Sequence, residues 1–121
     1  MFFLTVTDHF DAAHFLRDYP GKCAQIHGHR WTVEVTVSGQ QLDNIGMLVD
    51  FKHLKNVLKD KLAEFDHHLI NEHEPFVNLN PTAENLAQYV YLGLVTGLTG
   101  VSVTKVRVYE TPDAWAEYRE G

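Results

Sequence analysis

The run Cys23-Ala24-Gln25-Ile26-His27-Gly28-His29 constrains this chain most, because it places a thiol and two imidazoles within seven residues and leads straight into a strand-like segment. In an extended chain, residues two apart project to the same side. His27 and His29 therefore point together. The same parity continues through Trp31, Val33, Val35 and Val37, while Thr32, Glu34 and Thr36 take the other face. Gly28 between the histidines adds no side chain and permits a close backbone approach. The two imidazoles thus begin the inner face of an amphipathic strand.

Two imidazoles are too few for a tight zinc site, which takes three protein ligands for catalysis or four for structure. His14 is the natural third, since Phe10, Ala12 and His14 continue the parity of Phe2, Leu4 and Val6 along a first strand that can pair antiparallel with the second. Three histidines with an open position make a Lewis-acid zinc centre of the catalytic type. The competing reading makes His27 and His29 ordinary strand histidines and Cys23 a small buried hydrophobe.

At 121 residues the chain has room for one domain, 1–121, with a substantial core. No apolar run approaches 18 residues, and Thr5, Thr7 and Asp8 interrupt the start, so neither a membrane span nor a signal peptide is expected. A single cysteine forms no internal disulfide and fits a reducing, cytoplasmic setting. The net charge of −6, with no basic stripe, argues against nucleic acid as a partner.

Beyond the second strand, Asp50 is a good N-cap for a helix over about Phe51 to Phe65, with Phe51, Leu54, Leu58 and Leu62 on one stripe and His53 on the polar side. Asp66-His67-His68 follows. There a carboxylate adjoins two imidazoles, either to orient and polarise a histidine or simply as a helix C-terminus that favours cations. Thr82 is the N-cap of a second helix striped by Ala83, Leu86, Ala87, Val90 and Leu94, with Glu84 in its first turn. Val101 to Glu110 reads as a strand on which Val106, Val108 and Glu110 share a face, and Ala114 to Arg119 as a short final element. A carboxylate of that parity is paired, solvated at the strand end, or placed to bind a ligand.

Phe10-Asp11-Ala12-Ala13-His14 followed by Cys23-x-x-x-His27-Gly28-His29 resembles the 6-pyruvoyltetrahydropterin synthase superfamily. The three-residue gap between Cys23 and His27 is similar to its carboxytetrahydropterin synthase branch. The likeness extends through Gly46 to Phe51, Leu62 to His68, Asn80 to Glu84 and Val108 to Thr111. It implies an α+β tunnelling fold, an antiparallel sheet with two helices on one face, assembled into a barrel oligomer, commonly a hexamer with sites between subunits. It further implies zinc on His14, His27 and His29, Cys23 as catalytic general base, and Asp66 with His67 as a proton-relay pair, with His68 as the alternative partner. Glu110 would anchor the pterin ring, with Thr82 nearby, both serving the zinc of an adjacent chain.

The implied reaction takes 7,8-dihydroneopterin triphosphate to 6-carboxy-5,6,7,8-tetrahydropterin, triphosphate and acetaldehyde, on the way to queuosine. The pyruvoyl branch, which keeps the side-chain carbons, is the alternative; a non-catalytic zinc or pterin-binding module is a more distant one. A zinc hydrolase of the His-Glu-x-x-His kind finds no matching Glu here. No Arg/Lys cluster marks a triphosphate site, and Lys22, Arg17 and Arg107 are its candidates.

Overall fold

The computed structural model covers residues 1–121. Two long strands, β1 (Phe2–His14) and β2 (His27–Gly39), pair antiparallel, joined through a 3₁₀ turn at Lys22–Ala24. Two helices follow, α1 (Phe51–Leu62) and α2 (Ala83–Gly97), and then β3 (Ser102–Thr111) and β4 (Ala114–Tyr118). The four strands lie in the order β1-β2-β3-β4, all antiparallel. No helix is long and apolar enough to cross a membrane.

The alternation expected for β2 is what sorts the two faces of the sheet. Trp31, Val33, Val35 and Val37 are fully buried with Val106 and Val108 of β3, and Phe10 and Ala12 of β1 are buried beside them. Leu54, Leu58 and Leu62 of α1 and Ala83, Leu86, Ala87, Val90 and Leu94 of α2 complete this one core, so both helices cover the same face. The opposite face carries polar side chains, among them a charge network in which Arg107 reaches Glu117 at 2.6 Å and Glu34 at 3.5 Å.

The helix starts match the sequence: Asp50 accepts from the Lys52 N–H at 2.8 Å, and Thr82 from the Asn85 N–H at 3.1 Å. Helix α1, however, stops at Leu62 rather than Phe65. Phe65 belongs to a tight turn, its N–H on the Leu62 carbonyl, and is buried against Phe10, Phe76 and Tyr89. Phe51, read as part of the α1 stripe, is 58% exposed. Two further residues outside the regular elements tie the chain together. The side chain of Asn71 bonds both the N–H and the C=O of Phe15, and Asn80 does the same for Arg17, so two amides extend the edge of β1 beyond its last ladder pair.

Leu58→Ala removes a fully buried side chain and should lower the unfolding free energy by about 2–5 kcal/mol, whereas Phe51→Ala should cost about 1 kcal/mol or less. Urea denaturation of the two variants measures the difference.

Candidate metal centre

Strand pairing builds the site. His14 lies directly opposite His27 in the β1–β2 ladder, and His29 lies two residues further along, opposite Ala12. On β3, Tyr109 pairs with Thr32, which carries Glu110 one step further to the level of the histidines. The ligand atoms of His14, His27, His29 and Glu110 all fall within 4.8 Å of one another. Trp31 packs edge-on against both His14 and His29, at 4.8 and 5.4 Å between ring centres, and closes the floor.

The hydrogen bonds fix the tautomers. Nδ1 of His14 lies 2.8 Å from the Pro81 carbonyl, and Nδ1 of His27 lies 2.7 Å from the Gln25 carbonyl. A carbonyl only accepts, so both Nδ1 atoms carry the hydrogen and both Nε2 atoms present a bare lone pair. These two Nε2 atoms face each other at 3.0 Å. Such a pair repels unless a proton or a cation lies between. Burial holds His14 below the ordinary histidine range, outweighing the pull of the Pro81 carbonyl and of Glu110, which argues against the proton.

His29 supports the same conclusion. Its buried Nε2 has no hydrogen-bond partner: Glu110 Oε1 approaches to 3.1 Å, but off the line of a hydrogen bond. Burial likewise pushes its pKa down, against the attraction of Glu110. Three converging imidazoles, two of them oriented by backbone carbonyls, form a donor set that fits a metal ion with supported ligands. Tetrahedral coordination with bonds of 2.0–2.1 Å would separate the nitrogens by about 3.3 Å, close to the 3.0 Å between the Nε2 atoms of His14 and His27.

The remaining sequence candidates divide into three groups. Cys23 is half-buried on the 3₁₀ turn and lines a cavity of about 280 Å³ with Lys22, Gln25, Ile26 and His27, beside the cluster but outside its ligand set. Asp66 and His67 form a second group with Asp11. Asp66 Oδ1 accepts from the Asp11 N–H at 3.0 Å and lies 3.1 Å from His67 Nδ1, and the Asp11 N–H is the main cause holding the Asp66 carboxyl below its usual range. His67 has a left-handed backbone, φ 60°, pinned by its N–H on the Asp11 carbonyl. His68 instead turns Nδ1 to the Asp66 carbonyl, which leaves His67 as the partner of the carboxylate.

Glu110 and Thr82 form the third group. Glu110 was expected to serve the zinc of an adjacent chain, yet it stands at the histidine cluster of its own chain, because β3 pairs with β2 in the register that brings it there. The group that stands apart is Asp66–His67, with side chains 44% and 77% exposed at the β1 edge. The Thr82 hydroxyl oxygen caps α2, which leaves its O–H free to donate. Gly28 is also corrected: a Cβ there would meet only the Ala12 carbonyl, at 4.0 Å, so no close approach requires glycine.

Glu84, a helix-start charge by sequence, lines with Glu110 a cavity of about 200 Å³ flanked by Trp115, Ala114 and Ala116. Its signal was present in the Asn80 to Glu84 motif, where a carboxylate directly follows the segment that orients His14.

Residues 3–121 match the family model described as 6-pyruvoyl tetrahydropterin synthase, and the chain belongs to that family. A protein of Archaeoglobus fulgidus is 39% identical over 94% of this chain and 92% of its own length. The 6-carboxy-5,6,7,8-tetrahydropterin synthase of Bacillus subtilis is 37% identical over 92% of this chain and 80% of that protein. Among solved structures, 6-pyruvoyl tetrahydropterin synthase of Caenorhabditis elegans aligns with a TM-score of 0.90 at 27% identity, covering 99% of this chain and 96% of that one.

Two outcomes are expected. Elemental analysis should find the metal lost from His27→Ala and retained in His53→Ala. In the metal-stripped protein, histidines with depressed pKa values take up protons more readily when unfolded, so stability should fall as pH drops below about 6.5. Urea titrations at pH 7.5 and 5.5 test this, and a loaded metal should oppose the loss near neutrality.

Proposed function

We propose that this chain is a zinc-dependent lyase converting 7,8-dihydroneopterin triphosphate to 6-carboxy-5,6,7,8-tetrahydropterin, with release of triphosphate and acetaldehyde, in the route to the 7-deazaguanine base of queuosine. The observation that carries this reading is the convergence of three imidazoles on one point, in a chain 37% identical to a named carboxytetrahydropterin synthase.

His14, His27 and His29 would hold zinc. Bound there, the ion supplies Lewis acidity that polarises the hydroxyls of the substrate side chain. Cys23 shares a cavity wall with His27 and would take the proton from a side-chain carbon as its thiolate. Glu110 and Glu84 line one cleft, in which their carboxylates would accept from the N–H edge of the pterin ring while Trp115 flanks it. The Thr82 hydroxyl would donate at the mouth of α2. Asp66 would hold His67 in one tautomer for proton transfer. The exposure of that pair, away from its own cluster, supports a homo-oligomer, with a hexameric barrel as the expected form, in which His67 acts at a neighbouring copy's zinc.

The pyruvoyl branch is the second reading, favoured by the similarity to the Caenorhabditis elegans structure. The three-residue gap from Cys23 to His27 weighs against it. Anaerobic incubation of zinc-loaded protein with the substrate, followed by mass spectrometry, distinguishes the two. Carboxytetrahydropterin with acetaldehyde is the expected result, and pyruvoyltetrahydropterin would overturn the branch assignment. Cys23→Ala and Asp66→Asn should keep their zinc and lose turnover by roughly 10²–10⁴-fold. Glu84→Gln should also keep its zinc, with the loss falling chiefly on KM.

A further inference from the structure

The chain carries a net charge of −6, yet the reading above asks it to hold a triphosphate, so a local cation must offset that repulsion. Nearly all its cations near the sheet are committed elsewhere. Arg30 pairs with Asp11 at 3.0 Å, Arg107 with Glu117 at 2.6 Å, and Lys105 and Arg119 also with Glu117, at 3.7 and 2.8 Å. Lys61 pairs with Glu64 at 3.3 Å. The Arg17 guanidinium is held by the carbonyls of Phe76 and Leu79, at 3.0 and 3.4 Å. Lys52, Lys55 and Lys59 ride the exposed side of α1.

Lys22 alone among the ten makes no ion pair and lines a cavity with a member of the histidine cluster, His27, and with Cys23. We propose that Lys22 is the anchor of an oligophosphate subsite, holding the phosphate chain of the substrate in that cavity so that its leaving end lies beside Cys23 and the zinc ligands. The inference rests on the function proposed above. It ranks Lys22 ahead of Arg107, whose Nε is already paired with Glu117 and Glu34, and of Arg17, whose guanidinium is held by two backbone carbonyls. A lysine suits the task as a mobile point charge, able to adapt to a flexible phosphate chain in the bound substrate.

The test uses the zinc-loaded full chain and two probes, inorganic tripolyphosphate and a phosphate-free dihydropterin. Lys22→Gln should weaken tripolyphosphate binding in calorimetry roughly tenfold and raise KM for dihydroneopterin triphosphate to a similar degree, as for loss of one charge-assisted contact. Zinc content, kcat and affinity for the phosphate-free pterin should hold, and Lys22→Arg should restore most of the loss. Unchanged tripolyphosphate binding in Lys22→Gln would overturn the subsite. So would a fall in kcat at constant KM, which would assign Lys22 to the chemistry of Cys23 instead. Wild-type protein that binds tripolyphosphate through Lys22 but leaves the pterin triphosphate unconverted would keep the subsite and sink the proposed reaction. Turnover with Lys22→Gln unaffected would do the reverse.

Discussion

Two imidazole nitrogens facing each other at 3.0 Å, each with the hydrogen of its ring committed to a backbone carbonyl on the far side, form the contact on which this structure turns. In water such a pair would rotate apart. Here rotation is blocked: His14 is only 1% exposed, Trp31 stands beneath it, and Pro81 holds its outer nitrogen. The two nitrogens are therefore placed to share a cation, and the unpartnered Nε2 of His29 adds a third donor. The lowered pKa values of His14 and His29 follow from the same burial and keep the ligands neutral where a metal must compete with protons.

The sheet supplies the precision. Because side chains alternate along a strand, a one-residue slip of β1 against β2 would send His14 to the opposite face from His27 and His29. The buried cross-strand pairs Val6–Val35 and Phe10–Trp31 oppose that slip, since it would expose the core. The hydrophobic core and the site are thus locked by one register. The Asn71 and Asn80 amides carry this order past the last ladder pair into the loop that bears Lys22 and Cys23.

The strands, both helix caps and the histidine set were legible in the sequence because they depend on local periodicity and on side-chain chemistry next to the backbone. What escaped depends on distant partners. Pro81 orients His14 across 67 residues, and Asn71 and Asn80 grip β1's continuation across 56 and 63. No spacing rule reveals such pairs. The early end of α1 has the same origin: Phe65 leaves the helix to join Phe10 and Phe76, which swings Asp66 and His67 onto the β1 edge. The position of Glu110 also needed the β2–β3 register, which parity alone does not give.

In this geometry three histidine nitrogens would hold the metal, while Cys23, close by, would not. X-ray absorption at the zinc edge of the loaded protein tests it most directly. Three imidazole nitrogens at 2.0–2.1 Å with the balance oxygen is the result this account predicts. A sulfur scatterer near 2.3 Å would place Cys23 on the metal and contradict it.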